Sequence, residues 1–175
     1  MEKSTRNNLF FIFLASLLII LIRLFVIDFA AVRGSSMEPG LHDGDFLALN
    51  RLAYGLILPF ANIYMIQWQI PANGDVVLCQ NPLTGEPAIK RCVGVAGDVL
   101  RVKDGILEVN NMRIPLKFYQ EHTMKPESVI PDGFVFVLGD NPDVSVDSRN
   151  FGVIDVKTVL GRTVFPVRRG AEKNE

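Results

Sequence analysis

Residues 9–22, LFFIFLASLLIILI, form an apolar run broken only by Ser16, and Leu24–Ile27 continue it past Arg23 to Asp28. A run of that kind leaves a chain few choices, because its side chains must leave water for a bilayer or a core. As a helix, residues 9–27 would be roughly 28 Å long, close to the hydrocarbon thickness of a membrane. Arg23 falls near the far end, where a long side chain can reach the interface. Lys3 and Arg6 precede the run and place the N-terminus on the cytoplasmic side. A cleaved secretory signal peptide has the same basic start and apolar stretch, and DFAAVRGSS holds small residues for its cleavage. Both readings export the remainder of the chain. The organisation expected is a cytoplasmic N-terminus over 1–8, an apolar anchor over 9–28 and an extracytoplasmic domain over 29–175.

Composition narrows the classes further. The 175 residues carry 18 Lys and Arg against 19 Asp and Glu. Nucleic-acid binding needs a basic patch that releases counterions, so that partner is excluded. With 49% hydrophobic and 21% charged residues the chain is not disordered. Cys79 and Cys92 belong to no CxxC or Cys/His cluster, so no metal site is expected. They read equally well as one disulfide or as two buried thiols.

Beyond the anchor, short apolar runs alternate with turn signals, and no long segment has helical periodicity. Strands are expected at 45–49, 75–79, 88–95 and 134–138. Val99–Lys103, the hairpin dipeptide Asp104-Gly105, Ile106–Val109, the turn Asn110-Asn111 and Met112–Ile114 read as a three-stranded meander. The fold class is all-β: antiparallel sheets behind one N-terminal transmembrane helix. Residues 54–71, YGLILPFANIYMIQWQIP, contain no charge. They read as a strand pair feeding the core, or as an apolar surface held against the bilayer with Tyr54, Tyr64 and Trp68 at headgroup level.

Three segments could carry chemistry. Gly34-Ser35-Ser36-Met37-Glu38-Pro39-Gly40 follows the anchor so closely that Ser36 can lie at most roughly 30 Å from the helix end. Glu38 in place of glycine excludes a G-x-S-x-G elbow. In Ile89-Lys90-Arg91-Cys92, alternation puts Lys90 and Cys92 on one face and Arg91 on the other. Gly139-Asp140-Asn141 through Ser145, Asp147, Arg149 and Gly152 has an acidic look. As an EF-hand it fails, with Ser148 at the glycine position and Ile154 at the glutamate position.

Together these segments resemble bacterial type I signal peptidases, in order from about Asp28 to Gly161. Ser36-Met37-Glu38-Pro39 is similar to the family's nucleophile box, and Gly44-Asp45-Phe46 through Ala53-Tyr54-Gly55 to the next. Gly74-Asp75-Val76-Val77 with Ile89-Lys90-Arg91 and Gly97-Asp98 resembles the lysine box. Gly139-Asp140-Asn141, Ser145 and Asp147-Ser148-Arg149 with Phe151-Gly152 resemble the last. The resemblance implies a retained anchor in the bacterial inner (plasma) membrane and a serine endopeptidase that removes signal peptides from exported preproteins. Ser36 would be the nucleophile and Lys90 its base, with no metal or organic cofactor. Ser145 would orient the lysine, Asp147 and Arg149 would pair to hold the loop, and Asp140 would support the same polar cluster. Gly34, Ser35, Met37, Pro39 and Ile89 would form the oxyanion and substrate-binding surroundings. The partners implied are signal-peptide-bearing preproteins and the lipid bilayer. Gly40 departs from the family's usual threonine, Pro142 and Val144 from its Arg and Asn, and Gly34 supplies no hydroxyl to an oxyanion hole.

Three other readings stay in view. One is a Ser-His-Asp triad from His42 with Asp43 or Asp45. Another is an inert membrane-anchored β-domain used for binding, and the third a related Ser–Lys peptidase of conjugation or organellar processing.

Overall fold

The structure, a computed structural model, describes residues 2–167. Met1 and residues 168–175, the end of the expected exported domain, lie outside the described residues. The N-terminal helix α1 (Glu2–Phe25) is long and apolar enough, over Asn7–Phe25, to cross a membrane, and among the described residues no side chain of that span is buried. It stops short of the end of the apolar run because Ile27–Ala31 is taken up as strand β1. At that junction Arg23 turns back onto the Ile27 carbonyl and the Asp28 carboxylate, and Arg51 meets Asp28 from the sheet.

The part that follows α1 is built of antiparallel strands. Besides β1 they are β2 (Phe46–Asn50), β3 (Gly55–Leu58), β4 (Ile63–Gln67), β5 (Val76–Gln80), β6 (Pro87–Gly94), β7 (Val99–Lys103), β8 (Ile106–Val109), β9 (Met112–Pro115), β10 (Glu127–Val129), β11 (Phe134–Leu138), β12 (Ile154–Asp155) and β13 (Val159–Val167). A seven-stranded sheet has the order β1-β2-β13-β5-β6-β11-β12, a four-stranded sheet the order β10-β7-β8-β9, and β3 and β4 form a separate hairpin. The meander turns by local chemistry. Asp104 and Gly105 at the first turn, and Asn110 and Asn111 at the second, all take positive φ, as a two-residue hairpin requires.

Several elements have no counterpart in the periodicity, the short strands β1, β10 and β12 among them, and two others stand out. One is the short helix α2 (Phe118–Thr123). The other is β13, which lies between β2 and β5 and holds the large sheet together. Gly161 and Pro166 within β13 are residue types depleted in strands, and its ladder carries two irregularities. A third helix, α3 (Ser148–Phe151), is a single turn.

Alternation along β6 distributes its side chains between cores. Cys92 packs with Val77, Cys79, Val135 and Val137, whereas Val93 joins Leu100, Leu107 and Phe136 under the smaller sheet. Ile89 packs against Val32, Met37, Leu41 and Leu47. Both cysteines are buried free thiols, since the register sets Ala88 opposite Cys79. Burial pushes each thiol up to about 12.

The uncharged 54–71 segment divides between its two readings. Tyr54 is buried and donates to Asp75 Oδ2 at 2.7 Å, and the Tyr64 hydroxyl donates to the Val159 carbonyl at 2.6 Å. The outward residues Leu58, Phe60, Ile63, Met65, Ile66 and Trp68 are exposed, Phe60 at the hairpin tip by 91%.

One detail of the topology shapes the surroundings of Lys90. Strand β5 pairs with β6 from Pro87 to Arg91, but β11 joins the other side of β6 only from Arg91 onward. The outer edge of residues 87–90 is therefore unpaired in the sheet. Among the described residues β1 is likewise an edge strand of the sheet.

Candidate active site

Lys90 sits in β6 opposite Val77, on the side of the Cys79 and Cys92 core, and only 5% of it is exposed. Its Nζ donates to Ser145 Oγ at 2.9 Å. Burial lowers the ammonium below its ordinary value, and the nearby Asp147 carboxylate offsets part of that shift.

Ser145 belongs to a loop that is bound from within. Its backbone N–H donates to the Asn141 carbonyl, and its hydroxyl hydrogen-bonds the Asp147 carboxylate. Asp147 and Arg149 are almost fully buried. Arg149 grips the carboxylate with Nε at 2.9 Å and Nη2 at 2.7 Å, while the backbone N–H groups of Gly139 and Arg149 also donate to it. Burial alone would raise the Asp147 carboxyl, but hydrogen bonds from Arg149, Ser145 and Gly139, with the guanidinium charge, hold it below the usual range. Asp147 also caps α3, and Ser148 Oγ accepts the Val137 N–H on β11. One short segment is thereby riveted to the sheet.

Ser36 lies in the connection from β1 to β2. That loop is closed by Val32 N–H to the Asp45 carbonyl, Gly44 N–H to the Val32 carbonyl and Leu41 N–H to the Met37 carbonyl. The buried Met37 side chain anchors it. The Ser36 carbonyl accepts from Asn141 N–H at 3.0 Å, joining the loop to the Ser145 segment. Gly139 is what lets them meet. A Cβ there would overlap both Ser145 Oγ and the Ser36 carbonyl oxygen, so only glycine permits this approach. The Ser36 backbone is thus brought beside Ser145, which holds Lys90, and the three come from distant parts of the chain.

The open edges of β1 and β6 face each other across a groove of about 660 Å³. Asp28–Arg33 forms one wall and Glu86–Ile89 the other; Leu49 and Leu78 also line it, and Ser36 and Met37 stand in it. The groove can take an extended peptide by strand addition and present its carbonyl to a serine.

Several expected site residues are placed differently. Asp140 does not join the Lys90 cluster: it chelates Arg91 Nε at 2.8 Å and Nη2 at 2.7 Å. The pleat is the reason, since Arg91 points away from Lys90 and Asp140 follows it. The pair fills the space beside Gly40, where a Cβ would come within 2.7 Å of Asp140 Oδ2. The Gly34 N–H is already committed to Asp43 Oδ1 at 2.7 Å, so it is no free oxyanion donor. Gly34 and Ser35 do not line the groove, whereas Met37 and Ile89 do, and Pro39 lines a second cleft. His42 is exposed, with its ring 4.0 Å from Asp45 Oδ2. Among the described residues no His, Cys, Asp and Glu side chains gather into a metal-binding group. Asn150 and Gln120 escaped the sequence reading: Asn150 accepts from the Asp147 N–H and from buried Gln120, which ties α2 to the loop. A polar residue at the third position of a capping box is the available signal for both, Asn150 after Asp147 and Gln120 after Lys117.

Comparison with known proteins gives a consistent family. The family model described as "Signal peptidase, peptidase S26" matches residues 5–168. Signal peptidase I of Bacillus licheniformis is 32% identical, over 94% of this chain and 92% of its own length. Signal peptidase I T of Bacillus subtilis is 29% identical, over 88% of this chain and 80% of its own. Thylakoidal processing peptidase 1 of Arabidopsis thaliana is 33% identical, over 77% of this chain and 40% of its own.

Proposed function

Because the chain belongs to the signal peptidase, or peptidase S26, family, and so removes signal peptides as a peptidase, we propose that it does so with Ser36 as nucleophile and Lys90 as general base. The observation that carries this reading is the burial of Lys90 with Ser145 as hydrogen-bond partner, where Gly139 brings in the Ser36 loop. A lysine at its reference pKa is neutral in only about one molecule in 2,500 at pH 7. Desolvation raises that fraction, and neutral Lys90 can take the Ser36 proton as Oγ attacks the scissile carbonyl. The ammonium then gives the proton to the leaving amine, and a water hydrolyses the acyl-enzyme by the same relay. Ser145 aims the Nζ, and Asp147 with Arg149 holds Ser145. The Ser36 backbone N–H would be one oxyanion donor.

The peptide before the cut would add as a strand between the β1 and β6 edges, with small side chains fitting against Met37 and Ile89. The membrane completes the proposal. In it α1 crosses the bacterial plasma membrane once from a cytoplasmic N-terminus, and the exposed face of the β3–β4 hairpin rests on lipid. The nucleophile then stands near the surface from which membrane-inserted signal peptides emerge. The test is incubation of the detergent-solubilised full chain with a preprotein carrying alanine at −1. A shortened product is expected, and Ala→Leu at −1 should prevent it by steric clash. An intact preprotein would refute the peptidase reading; equal cleavage of both substrates would refute the small-residue pocket.

A further inference from the structure

A second cleft, of about 450 Å³, lies beyond the Ser36 loop. Pro39 and Gly40 form its near wall, and Arg91 and Val93 of β6 lie along it with Leu138–Asp140 and Pro142. Its far wall is Met112–Pro115, which is β9, the open edge of the four-stranded sheet. The lining is mostly apolar but carries Arg91, Arg113 and Arg149 against a single acid, Asp140.

A preprotein has chain on both sides of the scissile bond, and the first groove accounts for only one side. A strand laid along residues 87–90 cannot run straight on, because β11 occupies the β6 edge from Arg91↔Leu138. The Lys90 face is closed by the core of Val77, Cys79 and Val137. What remains open is the Arg91 face, where the second cleft begins on the same loop that carries the nucleophile. Ser36 and Pro39 are three residues apart, a span of at most roughly 10 Å. We propose that this cleft receives the second to fourth residues after the cut, and that Arg113 makes it prefer acidic over basic side chains there. The proposal rests on the assignment of Ser36 and Lys90 as the reacting pair.

Of the three guanidinium groups, two are already engaged. Arg91 is chelated by Asp140 and Arg149 by buried Asp147. Arg113 pairs with Glu108 at 3.1 Å, with both side chains largely exposed, and such a pair is easily exchanged for another carboxylate. Of the three, Arg113 is therefore the cation most open to exchange, and it stands on the exposed β9 wall of the cleft.

The test measures kcat/KM for preproteins identical except for Glu or Lys at +3. The wild type should favour Glu by about fivefold, as a rim charge pair allows, and Arg113→Glu should reverse the order. A peptide ending at +1 should have a higher KM than one ending at +5. A Glu-to-Lys ratio near one in the wild type would overturn the proposal, as would a ratio that Arg113→Glu leaves unchanged. The wild-type ratio stands alone if that variant fails to fold. Failure to cleave any of these substrates would instead strike the catalytic reading.

Discussion

Lys90 and Arg91 are neighbours in one strand, both basic, and the protein treats them in opposite ways. Lys90 faces the core, where water is excluded, its main polar contact is a neutral hydroxyl, and its proton is held less tightly than in water. Arg91 faces the rim of a cleft, where a bidentate bond to Asp140 raises its pKa further. The pleat separates the two environments by a single residue. A charge given a carboxylate serves architecture; a charge denied a direct one becomes a candidate for proton transfer.

The largest effects should come from removing the groups proposed to react. Ser36→Ala and Lys90→Met should each lower preprotein cleavage by at least about a thousandfold in a gel-shift assay, as loss of a nucleophile or base does. Arg91→Met should retain a much larger share of the rate, and His42→Ala most of it. A folded but inactive His42→Ala protein would replace the dyad with a triad.

Next in size is the contrast between the two arginine–aspartate pairs. Arg149→Ala leaves Asp147 unpaired in a buried site and should cost about 3–5 kcal/mol in denaturant melts. Arg91→Ala removes a partly exposed pair and should cost about 1 kcal/mol. Equal losses would mean that burial does not distinguish the pairs. Asp147 adds a pH signature. Its folded-state pKa is depressed, so the stability it contributes is present above its unfolded value of 3.8 and is lost as pH falls through the lower folded value. Arg149→Ala should remove that acid limb.

Lys90 has a smaller and oppositely placed signature. Its folded-state pKa lies below 10.5, so kcat/KM should rise with pH through a group titrating under that value. Stability should also rise with pH between the folded and unfolded values, because there the unfolded chain binds more protons. An apparent pKa of 10.5 in the pH–rate profile would mean that Lys90 is solvated, and the contrast with Arg91 would vanish.

In catalysis the smaller expected change is Ser145→Ala. Removing the hydroxyl should lower kcat by about ten- to a hundredfold through misplacement of the base, with KM and the melt little altered. A shift of the melt without a change in kcat would make Ser145 structural.

How much of this is legible in the sequence depends on the range over which each signal acts. The meander can be read residue by residue, because Asp104-Gly105 and Asn110-Asn111 impose their turns through backbone sterics alone. The opposite faces of Lys90 and Arg91 come from the period of a strand. The long apolar helix comes from composition. By contrast, β13 depends on partners at Phe46–Asn50 and Val77–Cys79, far back in the chain, and its own residues argue weakly for a strand. Asp140 groups with Asp147 by closeness in sequence, whereas the fold sends one to the rim and the other to the core. The state of the two thiols is open in the sequence, and the register decides it by placing Ala88 opposite Cys79. Sequence alone therefore determined the local elements, which side chains share a strand face and, through matched motifs, the family. Tertiary structure decided which faces are dry, which charges meet, and that Gly139 brings Ser36 and Ser145 together. Burial and pairing are properties of segments distant in sequence, and no local rule encodes them.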